Sequence, residues 1–152
     1  MRAAILLGLM LSAATHAADS LQEAMAELQP SSLAVAAQRA ELAWFAEAGK
    51  PFAGTQVRVI SERIPTHWYE ANVLAPLFSR LTGIRVIHEV SGEDDVVNKL
   101  RTQQETGLPL YDAYVSDSDL IGQHFRVGQV LVLSDFMAGE GATVTSPTLD
   151  LA

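Results

Sequence analysis

Two polar clusters each stand directly after an apolar, β-branched run. Ser61-Glu62 follows Val57-Arg58-Val59-Ile60, and Asp117-Ser118-Asp119 follows the run from Tyr111 to Ser116. Carboxylates and hydroxyls grouped this way accept and donate hydrogen bonds to the adjacent hydroxyls of a polyol or sugar. The same acids meet a phosphate or carboxylate with like charge, so a neutral or cationic ligand is expected. His67 lies close behind Glu62, and Trp68 and Tyr69 beside it carry rings that can stack on a sugar face. Each residue also has an ordinary structural use. Asp117 and Asp119 suit a helix N-cap or first turn, Trp68 and Tyr69 suit core packing, and His67 suits a cap or solvent. Core packing is the expectation for the two rings. His88 and Glu89 adjoin in an extended run and point to opposite faces, so they do not share one ion. Asp112 reads as structural, and His124 with Arg126 as a solvated helix face. No Ser/His/Asp set has the strand–turn–helix context of a nucleophile elbow. Neither an enzymatic activity nor a cofactor is expected, and no metal site.

Alternating strands and helices must position these clusters. Leu21 to Leu28 reads as a short helix ending before Pro30. Ser31 or Ser32 caps a second helix with Leu33, Ala37, Ala40, Trp44 and Phe45 at helical spacing, stopped by Gly49 and Pro51. Thr55 to Ser61 is the first strand. Thr66 is the expected N-cap of the next helix. Ala71, Leu74, Ala75, Phe78 and Leu81 are its apolar face, with a kink at Pro76 and a glycine stop at Gly83. Ile84 to Val90 is the second strand. Ser91 caps a helix opened by Glu93, Asp94 and Asp95, which complement the helix dipole, with Val96, Val97 and Leu100 as its buried stripe. After Gly107 and Pro109 come a third strand from Tyr111 to Ser116 and a helix opened by Asp117-Ser118-Asp119. A fourth strand over Val130 to Leu133 and a helical turn from Asp135 to Gly141 close the chain. The pattern predicts an α/β fold with a mostly parallel sheet flanked by helices. Ligands of such sheets bind outside the carboxyl ends of the strands, at Ser61-Glu62, Ser91-Gly92 or Asp117-Ser118-Asp119.

The amino terminus reads as an export signal. Met1-Arg2 is a positive start, Ala3 to Ala14 is an apolar run too short to span a bilayer, and Thr15-His16-Ala17 ends it in small residues around a histidine. Cleavage is expected after Ala17, with delivery to the periplasm and no membrane insertion afterwards. The chain has no cysteine, hence no lipid attachment at the cleavage site and no disulfide. The formal net charge of −8 becomes −9 without Arg2, a surface that repels nucleic acid and anionic membranes. Three segments follow: a signal at 1–17, a helical lead-in at 18–52 and an α/β lobe at 53–152.

Three stretches carry a resemblance: Leu81-Thr82-Gly83-Ile84-Arg85-Val86, the run from Tyr111 through Asp117-Ser118-Asp119-Leu120-Ile121-Gly122, and Phe136-Met137-Ala138-Gly139-Glu140-Gly141. Together they resemble the N-terminal lobe of the family 1 extracellular solute-binding proteins of ABC importers, in the branch linked to glycerol and other polyol or sugar uptake. Lys50-Pro51-Phe52-Ala53-Gly54 and Ser61-Glu62 with Thr66-His67 are similar to that branch as well. The resemblance implies a periplasmic-binding-protein-like lobe and a non-enzymatic receptor that hands a small solute to an inner-membrane permease. Ser61, Glu62, His67, Asp117, Ser118 and Asp119 are its candidate ligand contacts. Family members continue into a second lobe, so the chain is expected to be a truncated, incomplete lobe. Two other readings start from the same residues. One is a secreted, hydrolase-like α/β enzyme domain using Asp117 or Asp119 as acid or base. The other is a partner-binding fragment held by the helix around Trp44-Phe45.

Overall fold

The structure, a computed structural model, describes residues 20–115, 118–128 and 130–148; of residues 118–121 it describes the backbone alone. Helix α1 covers residues 20–27 and α2 covers Val35–Gly49, followed by a 3-10 turn Lys50–Phe52. Strand β1 is Gln56–Glu62. Helix α3, Pro65–Tyr69, passes through a π turn, Glu70–Leu74, into α4, Ala75–Thr82. Strand β2 is Arg85–Ser91, α5 is Glu93–Thr106 and β3 is Ala113–Tyr114. Helices α6, Ser118–Val127, and α7, Leu133–Ala138, complete the described chain with a 3-10 turn, Ala142–Val144.

The three strands form a parallel sheet in the order β2-β1-β3, with Gln56 opposite Arg85 and Ile60 opposite Tyr114. Alternate residues of β1 face opposite sides. Ile60, fully enclosed, points to the side of α5 and packs with Val96, Leu100, Tyr111 and Tyr114. Ser61 faces the other side, toward His88. A second apolar cluster joins Ala24 and Met25 of α1, Leu42 of α2 and Leu77 of α4, so the helical lead-in packs on the helix that follows β1. The β2 edge is partly closed. The Val86 N–H donates to Ser79 Oγ at 3.0 Å, and that hydroxyl donates to the Ala75 carbonyl. A capped donor is one fewer site for unwanted strand pairing.

Several local expectations are corrected. None of the caps proposed for Ser31, Ser32, Thr66 or Ser91 forms. α2 starts after Ala34, α3 after Ile64 with Pro65 leading, and α5 after Gly92, each without a side-chain cap. Ser91 is instead the last residue of β2 and donates to Asp95 Oδ2 at 2.9 Å. Around Pro76 the helix widens one turn earlier, into the π turn, where the Ala75 N–H reaches back to the Glu70 carbonyl. Such a bulge accommodates a residue that lacks its own donor. The third strand is two residues long rather than six. Val130 to Leu133 forms no strand, and Leu133 already opens α7. Gly83 and Gly107 do end α4 and α5 in the left-handed region, at φ 74° and 69°.

Gly49 is the last residue of α2, the stop expected of it, and it has a second purpose. It is buried and right-handed, and a Cβ there would sit 2.6 Å from Thr82 Cβ. The glycine therefore permits close approach of α2 to the end of α4. Gly49→Ala is expected to destabilise the protein despite the better helix propensity of alanine. Overpacking costs about 1–3 kcal/mol, against a propensity gain of at most ~1 kcal/mol. An unchanged urea midpoint would show that the two helices can part freely.

Candidate functional site

The strand order singles out one of the three carboxyl ends. In a sheet ordered 2-1-3 the connection leaving β1 runs to β2 and the connection leaving β2 crosses back to β3, so the carboxyl ends of β1 and β3 lie side by side, and the rule for open parallel sheets expects the ligand crevice between them. That crevice lies beyond Glu62 on one side and Val115 on the other. Ser91 belongs to the edge strand β2 and spends its hydroxyl on Asp95, so it leaves the set of candidates. Asp117 lies outside the described residues. Ser118 and Asp119 open α6, and their side chains lie outside the described residues too.

Around the end of β1 the hydrogen bonds define a compact polar group. Ser61 is fully buried, with Oγ 2.8 Å from His88 Nε2. His67 is buried as well, neither capping α3 nor in solvent, the two places expected for it, and its Nδ1 lies 2.9 Å from the Glu62 carbonyl. A carbonyl only accepts, so Nδ1 carries the proton and the imidazole ties the start of α3 to the end of β1. Glu70, in the π turn, is within electrostatic reach of His88. Glu62 itself is half-buried. Ser61 and His88 have the spacing of a nucleophile and its base, but the serine hydroxyl is enclosed and serves here to link β1 and β2.

Trp68 and Tyr69 overturn the expectation of core packing: 54% and 47% of their surface is exposed. The helical pattern placed both on α3, but α3 is short and its inner side is occupied by His67. His124 is the reverse case. It is buried, not solvated, with Nδ1 2.8 Å from the Tyr114 hydroxyl and its ring edge-on to that tyrosine at 5.0 Å. This contact docks α6 on β3 and so positions the start of α6 near the crevice.

His88 and Glu89 do point to opposite faces, as their adjacency predicts. Glu89 accepts from Lys99 Nζ at 2.5 Å and from the Tyr111 hydroxyl at 2.7 Å, and those two bonds hold its carboxyl below the usual range. Asp112 is structural, as expected: its Oδ2 accepts from the Arg58 N–H and its own N–H donates to the Arg58 carbonyl. Among the described residues no group of three metal-ligating side chains converges, and no helix is long and apolar enough to cross a membrane.

Burial pushes the His88 imidazole below its ordinary pKa. Glu70 opposes that shift and His67 adds to it. The unfolded chain then binds a proton that the folded chain resists. Stability is expected to be full above the unfolded histidine value of about 6.5 and to fall as the pH drops below it. Urea midpoints measured from pH 7.5 to 5.5 should decline in the native protein, by the uptake of a single proton. They should decline less in His88→Gln. Equal slopes in both proteins would count against the buried neutral imidazole.

No protein-family model, no curated protein and no solved structure matches this chain.

Proposed function

We propose that the chain is the N-terminal lobe of an exported solute-binding receptor that captures a neutral polyol or sugar for an inner-membrane ABC permease. The observation that carries the reading is the β2-β1-β3 parallel order. That order sets the carboxyl ends of β1 and β3 side by side, which is where open parallel sheets bind ligands and where the sequence sets Glu62 and the Asp117-Ser118-Asp119 cluster. The exposed rings of Trp68 and Tyr69, just past β1, add flat apolar surface suited to a sugar face. The resemblance in the stretches around Thr82-Gly83 and Asp117-Ser118-Asp119 supports the importer assignment.

Two-lobed receptors close over the solute by hinge motion. A single lobe offers half the contacts and leaves the ligand wet, so its affinity is expected to be weak, roughly millimolar or poorer. Glycerol, other polyols and simple sugars should be titrated while the amide signals of Glu62, His67 and Asp119 are followed by NMR. Saturable shifts for one ligand class, reduced in Asp119→Ala, are the expected result. No shift at 100-fold the concentration expected for half-saturation, roughly 0.1 M, would remove the reading.

A further inference from the structure

No further inference is drawn: the strongest candidate, the strip of exposed apolar side chains that runs from Phe125 and Val127 at the end of α6 to Leu131, Val132 and Leu133 leading into α7, is an unpartnered face, and nothing in the structure shows what covers it.

Discussion

Ile60→Ala should cost the protein about 2–5 kcal/mol, the usual penalty for hollowing a fully buried branched aliphatic position. Ile60 is entirely enclosed at the centre of the middle strand, against Val96 and Leu100 of α5 and the rings of Tyr111 and Tyr114. Domains of ordinary size are stable by only about 5–15 kcal/mol, so the variant is expected to sit near the edge of folding at room temperature. The cavity would also touch both tyrosines that lead into and form β3, so their near-ultraviolet signal should weaken before helix content falls. Ile87→Ala is the control. Ile87 lies on β2 with a third of its surface in water, and its truncation should cost about 1 kcal/mol or less. Equal urea midpoints for the two variants would mean that α5 does not close this face of the sheet.

The second large effect is expected at Gln103. Its Oε1 accepts from the backbone N–H groups of Leu110 and Tyr111, at 2.9 and 2.8 Å. Its Nε2 donates to the Tyr111 carbonyl at 3.1 Å. One side chain on α5 thus satisfies three main-chain groups in the turn that enters β3. Gln103→Leu keeps the bulk and strands the Tyr111 N–H and carbonyl, while the Leu110 N–H retains its bond to the Leu108 carbonyl at 2.9 Å. Each buried group left unpaired costs about 1–3 kcal/mol, and partial access of water lowers the sum, so a loss of roughly 2–4 kcal/mol is expected. Gln103→Glu retains the acceptor and loses only the donor, and should recover part of the difference. Hydrogen exchange gives the location: the amides of Asp112 and Val115, which bond to β1, should lose protection in Gln103→Leu. Uniform loosening of the whole molecule, with no excess at those two amides, would contradict the role given to Gln103.

That role also explains why β3 is short. The sequence pattern runs apolar and aromatic from Tyr111 to Ser116, but only Ala113 and Tyr114 pair with β1. Tyr111 is drawn aside by Gln103, and Asp112 bonds with both its backbone and its side chain to Arg58. Val130 to Leu133 shows the same limit of local reading. Four apolar residues in a row are compatible with a strand or with the approach to a helix, and periodicity does not separate them over so short a run.

What the sequence by itself determined is the alternation of strands and helices, the parallel pairing that alternation requires, and the glycine ends at Gly83 and Gly107. These depend on residue spacing within one element and on backbone preferences of single residues, which are written locally. The tertiary structure alone decided the rest. Burial is a property of what stands opposite, so His67 and His124 turned inward onto Glu62 and Tyr114 while Trp68 and Tyr69 stayed in water. The purpose of Gly49 is likewise set by Thr82, thirty-three positions away. Above all, three carboxyl ends were equivalent candidates along the chain. Only the placement of β1 between β2 and β3 singles out the end beside Glu62, because the connections from β1 to β2 and from β2 to β3 run in opposite directions across the sheet, and strand order is a relation among elements that no single segment contains.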